Sequence, residues 1–193
     1  MIRVRRIVPF VLGAVLLLVS RAEAMRPEIP AYEVELFRRV NGASDRIRVP
    51  VRTIMQAGSF GTVPAVSVLA WLFGRKRLAA SLAVSGTIAW VGAKVVKGFG
   101  GRQRPQAILP DVTIRESIQG DLGWVSGHTA VATTLAFVAS EELPTVVQPA
   151  LAAIVGIVGF GRMYVGAHLP HDIVGGAGLG MMISAVIPPA DGD

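Results

Sequence analysis

The sequence predicts an all-α integral membrane protein, a helical bundle of about six transmembrane helices with one amphipathic helix in the interface. Of its 193 residues, 52% are hydrophobic and only 17% are charged, and the mean hydropathy is +0.55. This composition is too apolar for an ordinary soluble domain of that length. Arginines cluster at the ends of the apolar runs, where the positive-inside rule and interfacial anchoring place them.

Charge and cysteine content bear on two other possibilities, nucleic-acid binding and cysteine-based sites. The net charge is +6 and the sequence pI is near 10.7, but the chain lacks the aromatic interleaving and the modules of nucleic-acid binders, so no nucleic-acid partner is expected. The absence of cysteine excludes disulfides and thiolate metal sites.

Residues 1–24 are expected to be an N-terminal anchor helix or a signal-like segment. Arginines precede an apolar run over residues 7–19, and a retained anchor would cover residues 4–20. The run is short for a full span, and Ala22-Glu23-Ala24 has the small-x-small form of a signal-peptidase site. Cleavage there, or a true start at Met25, would leave five helices. In each case the next segment begins on the non-cytoplasmic side.

Residues 25–50 are the most charged part of the chain and predict an amphipathic helix in the membrane interface. One face carries apolar side chains and the remainder carries charges, namely Tyr32, Leu36, Phe37 and Val40 against Glu33, Arg38 and Arg39. Asn41-Gly42 is a typical helix end. Anchoring at the interface is the expected role.

The membrane core is expected over residues 51–188, with a short tail at 189–193. The predicted spans are residues 53–73, with Pro64 as a tolerated kink, and residues 78–96, 127–140, 146–160 and 170–187. The short basic loop Gly74-Arg75-Lys76-Arg77 is the strongest topological signal and predicts a cytoplasmic turn. The turn at residues 141–144 is then also cytoplasmic, and the loops at 98–125 and 161–169 lie on the other side.

The stretch from Lys97 to Pro105 combines three cations with three glycines directly after an apolar run. A cation at a membrane boundary can be a simple anchor, because its head reaches water from an apolar stem. Glycines let the backbone approach an anion closely and present its N–H groups. The stretch therefore predicts a phosphate cradle, with anchoring as the alternative.

Three boundary stretches on the predicted outer side carry the histidines. They read Lys97-x6-Arg104-Pro105, Ser126-Gly127-His128 and Arg162-x5-His168-x3-Asp172. This combination resembles the three signature motifs of the type 2 phosphatidic acid phosphatase superfamily, over about residues 50–188. Two positions depart from the family pattern: Val125 replaces a proline and Gly161 replaces a serine. Neither change removes a proton donor or a nucleophile, so slower turnover or an altered substrate preference is expected.

Hydrolysis of a phosphate ester needs cations around the nonbridging oxygens as the transition state forms. The predicted phosphate-binding residues are Lys97, Arg104, Ser126, Gly127 and Arg162. Arg162 is assigned by the resemblance. Ser126 and Gly127 open a helix whose N-terminus favours an anion. The Ser126 hydroxyl can bond to phosphate or serve as an ordinary N-cap.

The predicted catalytic residues are His168, His128 and Asp172. Asp172 lies four residues after His168 and can fix its tautomer, so that the other ring nitrogen attacks phosphorus and forms a phosphohistidine. His128 would protonate the leaving oxygen and then activate water. Local sequence alone leaves His171 as an alternative nucleophile; the motif favours His168 and gives His171 a peripheral role.

A metal site is the rival interpretation of these histidines with an aspartate. The surrounding cations disfavour a divalent ion, and the family resemblance implies metal-independent phosphatases, so no metal or cofactor is expected.

The long loop at residues 98–125 carries polar residues and one tryptophan, which predict a solvated surface, with a lid or headgroup pocket as the alternative. These loop residues are Asp111, Arg115, Glu116, Asp121 and Trp124.

The expected function is hydrolysis of a lipid phosphate or polyprenyl diphosphate at the extracytoplasmic face of the plasma membrane. Candidate substrates are an undecaprenyl or decaprenyl carrier diphosphate, phosphatidic acid and phosphatidylglycerol phosphate. The partner is membrane lipid, and no oligomeric state is predicted. Phosphoryl transfer from a lipid phosphate to another acceptor, and non-catalytic lipid-phosphate binding or transport, are the alternatives.

Overall fold

The computed structural model describes residues 4–117 and 120–187, and within these ranges every regular element is helical. The α-helices are α1 (Val4–Ala24), α2 (Ala31–Asn41), α3 (Arg48–Met55), α4 (Thr62–Leu72), α5 (Lys76–Gly100), α6 (Pro105–Ile108), α7 (Gly127–Ser140), α8 (Gln148–Tyr164) and α9 (Pro170–Val186). The predicted all-α class is confirmed.

Several helices are long and apolar enough to cross a bilayer. In the part of the chain that the structure describes, three helices pass on length and composition, over Arg6–Ala24, Lys76–Gly100 and Thr145–Tyr164. A bent pair, Asp45–Gly58 with Thr62–Leu72, adds a fourth if it counts as one span. Helices α7 and α9 have 14 and 17 residues. At 1.5 Å per residue α7 rises about 21 Å, less than the roughly 30 Å hydrocarbon core of a bilayer.

The predicted span over residues 53–73 is not one continuous helix. The chain bends after the 3-10 turn Gln56–Gly58, and the parts Asp45–Gly58 and Thr62–Leu72 meet at 71°. The turn packs against the start of α7 so closely that a Cβ on Gly58 would lie 2.4 Å from the His128 carbonyl oxygen. Pro64 makes no kink, because it lies in the first turn of α4, where its missing N–H has no intrahelical partner.

Helix α7 is the centre of the bundle and packs against α5, α8 and α9. Its residues from Thr129 to Leu135 are all buried, so this part of the short helix is surrounded by protein and not by lipid. Helix α1 lies along α9, and their backbones touch where glycines meet. A Cβ on Gly13 would lie 2.6 Å from the Gly178 carbonyl oxygen. Close glycine contacts of this kind are typical of helix pairs in membranes.

Helix α2 ends at Asn41 as predicted, with Gly42 as its C-cap, and Tyr32 and Leu36 of the predicted apolar face are exposed. Phe37 of that face is buried, and so is Glu33, which lies off that face in the predicted pattern. Its carboxylate faces Arg102 and the first turn of α9. The Glu33 carboxylate can be buried because these partners compensate for the loss of its hydration.

The basic and acidic turns lie at one end of the bundle. Arg75 at the start of α5 pairs with Glu142 after α7, at 3.5 Å, and Arg6 of α1 pairs with Glu141. Helix directions then bring the end of α5, the start of α7, the end of α8 and the start of α9 together at the opposite end. All three histidines lie at that end.

Candidate active site

A cavity of about 650 Å³ opens at the histidine-bearing end of the bundle. Of the eight predicted site residues, six line it, namely Lys97, Arg104, Gly127, His128, Arg162 and His168. The other two, Ser126 and Asp172, are fully buried behind the wall. The three motifs, separated by up to 75 residues of sequence between Lys97 and Asp172, therefore meet at one place.

The His168–Asp172 pair is built by the start of α9. Pro170 opens the helix, and Asp172 at its third position accepts the Leu169 N–H at 3.0 Å. The same oxygen, Oδ2, lies 3.3 Å from His168 Nδ1. Contact at Nδ1 leaves Nε2 as the ring nitrogen available to a ligand. Burial lowers the pKa of His168 well below its usual value, and the neighbouring cations Lys97 and Arg162 lower it further, so the imidazole is neutral.

His171 lies outside the cavity wall. Its Nε2 is 3.4 Å from the Tyr32 hydroxyl and its Nδ1 is 3.1 Å from a Glu33 oxygen. Of the two histidines that local sequence could not separate, His168 faces the cavity and His171 faces the amphipathic helix α2.

Two of the predicted cations are held by carbonyl oxygens. Lys97, in the last turn of α5, donates through Nζ to Leu122 at 3.1 Å and Gly123 at 3.0 Å. Arg104 donates through Nε to Gly120 at 2.7 Å and through Nη1 to Ala167 at 2.9 Å. These bonds fix both charges at the cavity without neutralising them.

Arg162 comes from the last turn of α8 and is 5% exposed. Its Nη1 lies 3.4 Å from Glu116 Oε1 and 3.8 Å from the sulfur of Met55. Within the described part of the chain its buried Nε has no hydrogen-bond partner. An unpaired buried guanidinium N–H is costly unless a ligand accepts from it, and a phosphate oxygen is a suitable acceptor.

Ser126 is the N-cap of α7. Its hydroxyl accepts from the Thr129 N–H at 3.4 Å and from the Thr129 hydroxyl at 3.0 Å, and its N–H donates to the Asp172 carbonyl oxygen at 2.8 Å. The last of these bonds links the second motif to the third. Gly127 and His128 follow in the first turn of α7 and line the cavity.

Sequence reasoning did not predict the contacts of Arg102, Glu33 and Gly123 beside the site. Arg102 belongs to the cation-rich stretch predicted to cradle phosphate, but it does not line the cavity and is 7% exposed. It pairs instead with Glu33 at 2.7 Å and Asp172 at 3.2 Å. Gly123 brings the long loop against Asp172, since a Cβ there would lie 2.9 Å from Oδ2. Its position before Trp124 carried no signal that sequence alone could use.

The expectation that the long loop is a solvated surface is wrong for two of its residues. Trp124 is buried and donates from its indole N–H to Ser20 Oγ at 3.2 Å. Arg115 is also buried and donates to the carbonyl oxygens of Asn41 and Tyr164 at 2.6 and 2.8 Å. These two side chains are packed inside the protein, where their N–H groups satisfy buried carbonyl oxygens and one hydroxyl.

Both departures from the family pattern are buried. Val125 is completely buried and contacts α9 at Gly175, whose added Cβ would lie 2.9 Å from its side chain. At Gly161 an added Cβ would lie 3.0 Å from Met55 Cβ and 3.2 Å from its sulfur. Met55 thus fills the space that a serine side chain would need.

In residues 4–117 and 120–187, no group of three or more His, Asp or Glu side chains is arranged to hold a metal ion. The side chains around the cavity that carry charge at its wall are mainly cationic, with Glu116 and Asp121 as the acidic ones.

Comparison with known proteins identifies a family and two solved structures that resemble this chain. The sequence model of the PAP2 superfamily matches residues 75–191. The chain is similar to Aquifex aeolicus LpxE, with 27% identity over 84% of this chain and 98% of that one and a TM-score of 0.75. A search of curated proteins finds no significant match.

A second solved structure shares the fold. It is the first transmembrane PAP2-type phosphatidylglycerolphosphate phosphatase from Bacillus subtilis, with 20% identity over 93% of each chain and a TM-score of 0.76. Its transmembrane architecture, together with the apolar helices described above, confirms that this chain is an integral membrane protein.

Proposed function

The chain belongs to the PAP2 superfamily, and from this premise we propose that it is a metal-independent membrane phosphatase acting on an amphiphilic phosphate through a phosphohistidine intermediate. One observation carries the proposal. Three cations, Lys97, Arg104 and Arg162, and two histidines, His128 and His168, line a single cavity. Cations for the phosphoryl oxygens, a nucleophile and a proton donor are the groups that this chemistry requires.

In the first step, Nε2 of neutral His168 attacks phosphorus and the bond from phosphorus to the leaving oxygen breaks. His128, protonated when the bound phosphate offsets the charge of the neighbouring cations, donates a proton to that oxygen as it leaves. Asp172, 3.3 Å from Nδ1, stabilises the positive charge that the imidazole gains. Lys97, Arg104 and Arg162 compensate the charge on the three nonbridging oxygens.

In the second step, water attacks phosphorus and gives its proton to His128. The P–N bond breaks, inorganic phosphate leaves, and His168 returns to its neutral form. No redox equivalent and no metal-bound hydroxide is required, because the nucleophile and the acid–base group are both side chains of this chain.

The substrate proposed is a lipid phosphate or a polyprenyl diphosphate. The cavity wall includes Phe60 and Trp90, whose ring centroids lie 4.5 Å apart with the planes tilted by 33°, and Phe60 is 41% exposed. An aromatic wall beside a cationic site suits a substrate whose tail stays in lipid. Phosphatidylglycerol phosphate, named for the Bacillus subtilis protein, is one candidate, beside phosphatidic acid and undecaprenyl or decaprenyl diphosphate.

We place the site on the extracytoplasmic face of the plasma membrane. The turn with Arg75, Lys76 and Arg77 lies at the end of the bundle opposite the histidines, and short basic loops are cytoplasmic. A reporter fused after Arg77 should therefore show a cytoplasmic location, and one fused after Asp121 an external location. The opposite pair of results would invert the proposed orientation.

A panel of lipid phosphates tests the function. Purified protein in detergent is offered phosphatidic acid, phosphatidylglycerol phosphate and polyprenyl diphosphates with EDTA present, and phosphate release is measured. Release from at least one substrate is expected, undiminished by EDTA. Loss of activity with EDTA would contradict the metal-free mechanism. Binding of every lipid without turnover would support the binding-protein alternative, and a phosphorylated acceptor without free phosphate would support phosphoryl transfer.

A further inference from the structure

Three buried charges lie directly behind the candidate active site. Arg102 donates to both oxygens of Glu33, from Nη1 at 2.9 Å and from Nη2 at 2.7 Å. The same Nη1 lies 3.2 Å from Asp172 Oδ1. Glu33 and Asp172 are completely buried and Arg102 is 7% exposed. The amphipathic helix α2 is thus connected to the aspartate of the catalytic pair through one arginine.

Such a cluster needs an explanation other than stability. Burying an ion pair removes the hydration of both charges, and well-packed apolar residues are often as stable or more so. None of the three residues lines the cavity, so they are not there to contact phosphate. Buried ionic groups are best understood where they fix one arrangement of other groups.

The arrangement that they fix is that of the Asp172 carboxylate. Its Oδ1 faces Arg102, and its Oδ2 accepts the Leu169 N–H at 3.0 Å and lies 3.3 Å from His168 Nδ1. With both oxygens engaged, the carboxylate cannot rotate away from the imidazole. The orientation of His168 therefore depends on the arginine behind it.

Glu33 holds the arginine and the helix that carries the aspartate. Its bidentate contact fixes the guanidinium plane, and its Oε1 also accepts the backbone N–H of His171 at 3.0 Å, in the first turn of α9, where an acidic group is favoured. Burial alone would raise the pKa of Glu33, but the Arg102 hydrogen bonds and charge outweigh it and lower the pKa. Glu33 is therefore ionised and Arg102 remains charged.

We propose that Glu33 and Arg102 are positioning residues for His168, so that α2, outside the family's motifs, completes the active site. They act through Asp172 and do not touch the substrate. This inference rests on the function proposed above. It predicts that loss of the pair lowers turnover, because the nucleophile is misoriented, and leaves substrate affinity unchanged, because the cations of the cavity are intact.

The test replaces the pair by apolar residues of similar size, in the double variant Glu33→Leu/Arg102→Met. Such a replacement preserves folding more often than removal of one partner. In the full chain, kcat is expected to fall by about 10- to 100-fold, the scale of a misplaced reacting group, while KM is unchanged. The matched control is Arg6→Met/Glu141→Leu, which replaces the paired residues at the opposite end of the bundle and should leave kcat and KM unchanged.

Several outcomes would overturn the positioning role: an unchanged kcat, a raised KM with kcat unchanged, or the same loss of kcat in the control. If the double variant is not recovered folded, Arg102→Lys decides by the same criteria, because one ammonium group cannot bridge both carboxylates as the guanidinium does. His168→Ala in the same assay separates the two proposals. If it stays active, the proposed function fails; if it is inactive while the double variant equals wild type, only the positioning role fails.

Discussion

Replacing His168 by alanine is expected to lower kcat by a factor on the order of 10⁴ to 10⁶, the loss seen when a nucleophile is removed from a group of catalytic residues that act together. The side chain is buried, faces the cavity and lies 3.3 Å from Asp172. Among the described residues that line the cavity, His168 is the one imidazole with a carboxylate at its second nitrogen. Steady-state phosphate release on the best substrate of the lipid panel measures the effect.

His171→Ala is the matched control for that variant. His171 lies three residues further along, outside the cavity, and the substitution keeps the backbone N–H that Glu33 accepts. Its kcat should stay close to that of wild type. Loss of activity in His171→Ala with His168→Ala still active would move the nucleophile to His171. Melting curves of both variants identify any loss caused by unfolding.

The second large effect is expected at Arg162. Arg162→Ala removes the guanidinium whose Nε–H has no partner within the described residues, and it should lower kcat by about 10²- to 10³-fold, as loss of one donor to a transition-state oxygen does. Arg162→Lys should recover only part of this, because an ammonium group lacks the planar fork that suits phosphate. The measurement is kcat and kcat/KM for both variants.

Arg115→Lys controls for the loss of a buried arginine at the same end of the bundle. Arg115 does not line the cavity, and its bonds go to backbone carbonyls and to Asp45. This variant should lose thermal stability and retain most of its turnover. Equal losses of kcat in Arg115→Lys and Arg162→Lys would mean that packing, and not a phosphate contact, explains the effect.

The motif residues could be found from sequence because their chemistry needs fixed residue types at fixed spacings. Lys97, Arg104, His128 and His168 all line the cavity that the three motifs predict. The ends of α5 and α9 were also predictable to within a few residues, since apolar length and a starting proline mark them. Family membership and the all-α fold follow from the same patterns.

The burial of Glu33 and the break in the span over residues 53–73 depend on tertiary contacts, which the local sequence does not reveal. Glu33 belongs to a charged segment whose pattern is typical of a solvated face, and only the fold brings Arg102 to it. The break after Gly58 lies where this glycine packs against the His128 carbonyl oxygen, a contact between positions 70 residues apart. Hydrophobicity alone describes residues 53–73 as one span.

The departure at Gly161 is explained by a residue from another helix. Met55 of α3 occupies the position beside Gly161 and lies 3.8 Å from Arg162. A serine would need that space, so the glycine and the methionine form one local packing unit. The motif alone shows that the serine hydroxyl is missing at this position. It does not show that Met55 fills the space beside the glycine.

The stereochemical course at phosphorus tests the central claim most directly. A lipid phosphorothioate made chiral at phosphorus with one oxygen isotope is hydrolysed in water that carries another, and the configuration of the released thiophosphate is determined. A phosphohistidine requires two in-line displacements, each of which inverts phosphorus, so net retention is expected. Net inversion would show a single displacement by water and would contradict His168 as a covalent nucleophile.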